Sequence, residues 1–337
     1  MSKITLRIIA EETGLSKFAV SRALSGKLGV SDETRARVIA VAERLGYARP
    51  ERPALVQTST IGAVFANEDP VNGEMNIQIQ NGLQSEAARL GYTIHAHWAS
   101  DARDLARFIE GCAGIFSVNI QDKVMLAQIL ASGKPVVRAG WLEPLEQVDH
   151  VGGTDREAGV AAGRYLFDLG HREIVFVHGD IDLRGRRERW HGLQEFAAAT
   201  PGLTCHDLTW GGDKSFSDGL DRILAAGGRP TGFFCGHDGM AITAYTDILS
   251  RGWRIPRDVS VVGFGDFSAA TQVSPPLTTM KIRASEFGRN AVRRLDARLR
   301  NPDVDFAPLR MFVPNILIER SSAGPAPERD DEDPKVR

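Results

Sequence analysis

Apolar residues recur at helical spacing three times near the start of the chain: Leu6, Ile9 and Ala10, then Val20 and Leu24, then Val38, Ile39, Ala42 and Leu45. This spacing predicts three short amphipathic helices that share one core. Between the first two stands Gly14-Leu15-Ser16. Gly14 suits the left-handed conformation that ends a helix, and Ser16 suits the cap of the next. The pattern predicts a helix-turn-helix. Ser31 is the expected cap of the third helix, with Asp32 and Glu33 near its positive end.

Beyond residue 59 the pattern changes. Short apolar runs bounded by Gly or Pro, at 60–66, 92–96, 114–118, 135–139, 173–178, 232–235 and 259–263, predict strands. Helical patterns at 79–90, 122–132, 155–169, 187–199, 216–226 and 239–251 lie between several of them. The alternation predicts an α/β body of parallel sheets flanked by helices. So many strands, with 155–170 linking two sets, fit two doubly wound parallel-sheet subdomains, and a ligand would sit between them beyond the carboxyl ends of the strands.

Charge sharpens the picture at one end. Residues 1–49 hold 9 Lys or Arg against 5 Asp or Glu, about +4, while the whole chain is −2, leaving about −6 for the remainder. A basic module with a protruding second helix fits the major groove of DNA. Lys17, Phe18 and Arg22 are placed to meet base edges, and Thr5, Ser16, Ser21, Ser31 and Thr34 to hold phosphates; Leu6 and Ser25 complete the expected DNA-contacting residues. No N-terminal stretch reads as a signal peptide and no run reaches the roughly 20 apolar residues of a membrane span, so the expected location is the cytoplasm. Cys112, Cys205 and Cys235 are too few and too scattered for a disulfide framework or zinc site. No phosphate loop, zinc motif or nucleophile elbow is present, and neither catalytic residues, metal nor cofactor is expected.

The segment Ile4-Thr5-Leu6, Ile9-Ala10, Gly14-Leu15-Ser16, Ala19-Val20-Ser21-Arg22, Leu24-Ser25-Gly26, Val30-Ser31, Thr34-Arg35 and Leu45-Gly46-Tyr47 resembles the N-terminal domain of the lactose-repressor family of bacterial transcription regulators. In the body, Leu169-Gly170-His171-Arg172, Arg189 with Gly192, Asp258-Val259-Ser260-Val261-Val262-Gly263-Phe264 and Pro276-Leu277-Thr278-Thr279 resemble the same family. The resemblance spans about residues 4–322. It implies a DNA-binding domain at 1–48, a shortened hinge at 49–59 and a periplasmic-binding-protein-like effector and dimerisation domain at 60–322. Its N-subdomain is expected at 60–156 and 283–308, and its C-subdomain at 157–282 and 309–322. Residues 323–337, rich in Pro, Asp and Glu, are expected to be disordered.

A repressor of this family implies a homodimer on a palindromic double-stranded operator, with its affinity set by a small sugar-like effector. Family hinges form a helix whose leucine wedges into the minor groove; here Pro50 and Pro53 leave room for a brief helix with Leu55 as wedge, or for an extended tether. Transfer of the family's effector contacts points to Met75, Asn76, Arg189, Lys214, His237 and Asp266. Asp155 and Asp238 are expected as helix caps. Arg184, Arg186 and Arg187 crowd the approach to Arg189, so an anionic effector, a sugar acid or sugar phosphate, is one expectation, and a solvated arginine rim is the other. A DNA-binding regulator or architectural protein of the same fold with no effector is the alternative function.

Overall fold

The computed structural model describes residues 5–24, 30–45, 47, 59–66, 73–179, 184–211 and 215–328. The chain divides into two compact units, Met1–Gln57 and Thr58–Arg337. Apart from Ser59, the expected hinge lies outside the described residues, as do Ser25, Leu55 and Lys214.

The first unit contains α1 (Leu6–Thr13), α2 (Lys17–Leu24) and α3 (Asp32–Arg44) around Ile9, Val20, Ala23 and Val38. Gly14 takes φ +66°, and its N–H donates to the Ala10 carbonyl, which turns the chain sharply between the first two helices. The Ser16 hydroxyl accepts from the Ala19 N–H at 3.2 Å, and the Ser31 hydroxyl accepts from the Thr34 N–H at 3.3 Å. Arg37 reaches back to donate to the Thr13 carbonyl at 3.2 Å, tying α3 to the end of α1. Ile39, expected in the core, is 38% exposed. The buried stripe of α3 runs instead through Val38, Val41, Ala42 and Leu45, and Ile39 lies beyond its edge.

The second unit holds two six-stranded sheets. In the N-subdomain, β1 (Thr60–Ala66), β2 (Thr93–Ala99), β3 (Gly114–Val118), β4 (Val136–Ala139), β5 (Asp149–Gly153) and β11 (Arg310–Val313) are ordered β11-β5-β4-β3-β1-β2, all parallel. Helices α4 (Gly73–Leu90), α5 (Ala102–Glu110), α6 (Lys123–Leu130) and α12 (Ala284–Arg300) accompany them. In the C-subdomain, β6 (Glu173–His178), β7 (Thr204–Thr209), β8 (Gly232–Cys235), β9 (Ser260–Gly265), β10 (Thr278–Lys281) and β12 (Ile316–Ile318) are ordered β12-β10-β9-β8-β6-β7. Only β12 is antiparallel. Its helices are α7 (Asp155–Asp168), α8 (Arg184–Ala198), α9 (Phe216–Ala225), α10 (Asp238–Ser250) and the short α11 (Ala269–Gln272).

The doubly wound arrangement follows from strands such as β3, β8 and β9, whose residues are buried on both faces and demand helices on each side. Two helix crossings are so close that only glycine fits. A Cβ at Gly192 of α8 would overlap the Arg156 carbonyl of α7, and one at Gly159 of α7 would overlap the Arg189 carbonyl. Gly82 of α4 meets the Ser285 carbonyl of α12 in the same way. The first crossing fixes the depth at which α8 seats Arg189.

The chain passes between subdomains three times: before α7, after β10, and between β11 and β12. The expected last boundary, at 308/309, is corrected to the Pro314-Asn315 link, because β11 pairs with β5 through Arg310–Val313. The expected disorder from residue 323 is corrected too. Gly324 exchanges hydrogen bonds with the Ser260 hydroxyl at 3.0 and 3.1 Å, and the Ala326 N–H donates to the Leu169 carbonyl at 2.7 Å. These bonds strap residues 323–328 to the C-subdomain; residues 329–337 lie outside the described residues. Buried His171, hydrogen-bonded to Thr231 and Ser260 at 2.8 Å, anchors the strap, and burial lowers its imidazole pKa to about 4. The cysteines are unpaired thiols; Cys112 and Cys235 are buried and Cys205 half-buried. Among the described residues no helix is long and apolar enough to cross a membrane, and no three metal-ligating side chains cluster.

Candidate functional site

On the first unit, α2 presents an exposed face. Phe18 is 69% exposed and Lys17 is exposed beside it. The Arg22 guanidinium, one turn on, stands 5.3 Å from the Phe18 ring centroid. Val20 and Ala23 turn inward and are fully buried. A helix held by its back on three-helix packing leaves its front to a partner. Ser16 and Ser31 already use their hydroxyls as caps, Thr5 is exposed before α1, Leu6 is half-buried against the core, and Ser21 and Thr34 are half-buried at the surface. Thr5 makes no side-chain cap, so its hydroxyl remains available to a phosphate oxygen.

In the second unit, a cleft of about 870 Å³ opens between the subdomains. It lies beyond the carboxyl ends of β3, β4 and β9, where open α/β sheets leave a crevice. Arg189 forms part of its C-subdomain wall. The residue is 7% exposed, and its guanidinium lies 3.7 Å above the Phe264 ring centroid. Its Nη1 is 3.7 Å from Asp155 Oδ1, too long for a hydrogen bond, and its Nε has no partner. Burial lowers the Arg189 pKa to about 10, partly offset by Asp155, so the side chain stays charged at neutral pH. Arg186 is equally buried and also borders the cleft.

The remaining candidates divide. Met75 and His237 border the cleft. Asn76 is buried next to Met75 and does not border it; its Oδ1 is without a partner. Asp266 is a correction. With φ +58° after Gly265, its carboxylate is turned away from the cleft to Lys281 at 2.9 Å and Arg320 at 2.6 Å. Burial alone would raise that carboxyl, but the two cations outweigh it and hold it below the ordinary range.

The two expected caps are corrected as well. Thr154 occupies the position before α7, and Asp155 faces Arg189. His237 is the cap of α10, its Nδ1 accepting from the Gly239 N–H at 3.0 Å. Asp238 is fully buried and accepts from the Thr279 hydroxyl at 2.6 Å and the Phe267 N–H at 2.8 Å. It therefore holds the turn that carries Phe267 into the cleft.

Burial raises the Asp238 carboxyl pKa to about 6, against the hydrogen bonds that favour its charge. Between pH 4 and 6 the folded state then holds a proton that the unfolded chain has lost, so this residue makes stability fall as pH rises through that window. Asp238→Asn should remove the effect. Urea melts across pH 4–7 should show the parent losing about 2–3 kcal/mol relative to the variant. A constant difference between the two proteins would contradict the burial argument.

Sequence reasoning missed Trp141, which stands on the loop after β4 and borders the cleft. Its ring faces Arg184 and Arg187 of α8 at 5.6 and 5.3 Å, a cation–π contact between subdomains. A signal was present, since the residue stands two positions after the strand predicted at 135–139, whose carboxyl end is where a ligand is expected. His150, Phe264 and Phe267 were missed as wall residues for want of any local mark.

Comparison with known proteins bears on both units. Residues 5–50 match the family described as bacterial regulatory proteins, lacI family, and residues 164–323 match the periplasmic binding protein-like domain. The chain is 28% identical over 333 residues to the ribose operon repressor of Haemophilus influenzae, covering 94% of this chain and 98% of that protein. It is 26% identical over 333 residues to the HTH-type transcriptional repressor PurR of Mannheimia succiniciproducens, with the same two coverages. Among solved structures, the lac repressor dimer bound to operator and the anti-inducer ONPF is similar in fold, with a TM-score of 0.67 and 22% identity over 96% of this chain and all of that one.

Proposed function

The chain belongs to the lacI family of bacterial regulatory proteins, and from that membership we propose that it is a transcription repressor whose operator binding is controlled by a small molecule held in the cleft. The observation that carries this reading is that both working parts occur in one chain: an outward cationic helix at one end and a buried arginine inside a two-subdomain cleft. The relatives are transcriptional repressors, so the chemistry of the cleft is binding, with no catalytic role assigned. Its place of work is the cytoplasm, where operators are.

Two copies act together. The exposed apolar side chains Ile77 and Trp98 on the N-subdomain and Ile242 and Leu249 on the C-subdomain supply surface for a second copy. A symmetric pair sets two α2 helices one DNA turn apart, about 34–36 Å, and reads a palindromic operator.

The effector is an anion of sugar size, a sugar acid or sugar phosphate. Among the described residues six arginines border the cleft against four carboxylates. Arg186 and Arg189 are both buried, whereas Asp155 stays partly solvated. The buried Arg189 guanidinium, with an Nε that has no hydrogen-bond partner, favours a ligand that brings negative charge, and its fork of N–H donors matches a carboxylate or phosphate. With Asp266 turned outward, no carboxylate from that turn opposes the anion.

Binding to sheared genomic fragments against random competitor, followed by a melting screen of sugars with their acid and phosphate forms, tests both halves. A palindromic fragment should be enriched, and an acid or phosphate should raise the melting temperature where its neutral sugar does not. Absence of any preferred fragment rejects the DNA reading. Stabilisation by neutral sugars alone rejects the anionic one.

A further inference from the structure

We propose that Glu74 is a clasp by which the protein closes its own cleft, gripping Ser268 of the opposite subdomain. Glu74 stands in the first turn of α4, on the N-subdomain; Ser268 lies between β9 and α11, on the C-subdomain. The Ser268 N–H donates to Glu74 Oε2 at 2.9 Å, and the Ser268 hydroxyl donates to Oε1 at 2.5 Å. Both oxygens of one carboxylate are therefore spent on a residue 194 positions away in sequence.

The grip falls on a particular turn. The preceding N–H, that of Phe267, is bound to buried Asp238 of the same subdomain, so the turn is pinned from within by one carboxylate and from across the cleft by the other. The Phe267 ring borders the cleft at this place. Glu74 itself does not border it, and so acts through Ser268 as a positioning residue.

These two bonds exist only when the subdomains are together; on opening, water replaces them. A contact made in one state alone shifts the balance toward that state by its differential free energy. The clasp thus contributes to closure before any ligand arrives. Where the effector reading of the cleft holds, a ligand entering a protein already biased to close gains apparent affinity, and entry must wait for the clasp to open. That consequence rests on the proposed function, but the clasp does not.

The test uses the full chain without effector. Glu74 and Ser268 are both exposed, so water competes for these bonds, and hydrogen exchange of the segment containing the Ser268 amide should quicken about three- to fivefold in Glu74→Ala while the β9 amides keep their rates. Glu74→Gln retains an acceptor for the N–H and should lie between the two. Small-angle scattering of Glu74→Ala should report a wider body than the parent. Unchanged exchange at Ser268 would overturn the proposal. So would faster exchange with unaltered scattering, which would reduce Glu74 to a local brace. As a second readout, D-glucuronate binding to Glu74→Ala should be faster in association and about three- to tenfold weaker at equilibrium. If D-glucuronate binds neither protein, the exchange and scattering results alone decide the clasp.

Discussion

Arg22→Ala is expected to erase the protein's preference for its operator over random duplex while sparing most of its general attraction to DNA. Arg22 stands on the outer face of α2 beside Phe18, and the inner face of that helix is buried. A guanidinium there reaches a guanine edge with two parallel donors, a contact worth about 1–3 kcal/mol of discrimination. A symmetric dimer makes it twice, so the variant should lose about 2–6 kcal/mol if the half-sites add. Arg22→Lys keeps the charge and loses the fork, and should recover phosphate attraction without recovering the preference. Thr5→Ala is the contrasting case: it removes a phosphate contact made by a hydroxyl that caps nothing, and should weaken both duplexes alike by about 1 kcal/mol without changing the preference. Anisotropy titrations with operator and random duplex at two salt concentrations separate these outcomes. Equal losses on both duplexes for Arg22→Ala would mean that this side chain holds backbone and reads nothing.

Arg189→Ala should do the opposite, leaving operator binding within a few-fold and abolishing the response to effector. The guanidinium is buried against Phe264, with Asp155 too distant for a hydrogen bond. Truncating one side of a desolvated, charge-assisted contact costs about 2–5 kcal/mol of ligand affinity, enough to remove a response at ordinary concentrations. The fold should survive, because Asp155 retains access to water and is not left as an isolated buried charge. Titration of operator complexes with the ligand found in the melting screen reads the response, and a thermal melt of the variant checks the fold. If operator affinity falls as far as effector response, the two parts are not divided as proposed.

The first unit was legible because its signals are local. Gly14 ends α1 in the left-handed conformation, Ser31 caps α3, and the apolar positions repeat within one turn of each other. The exception, Ile39, lies beside the buried stripe, where one step around a helix decides between core and solvent. The body was legible in its alternation of strands and helices. Less visible were α5, α12, β5, β7 and the short β10, β11 and β12, in which charged or polar residues break up the apolar pattern or the run is only three or four residues long. At the cleft, Arg189 and His237 were found by resemblance, whereas Trp141 needed the loop after β4 to be seen in place.

The sequence by itself determined the division into a cationic helix-turn-helix and a two-subdomain α/β body, because caps, turns and periodicity act over a few residues. Only the tertiary structure decided which carboxylates serve the cleft. The left-handed turn at Asp266 sends one to Lys281 and Arg320, Asp238 is sealed beneath the turn, Asp155 faces Arg189, and Glu74 spans the gap to Ser268. Side-chain direction at a turn, and partners far apart along the chain, depend on how helices and sheets pack; no local pattern of residues encodes them.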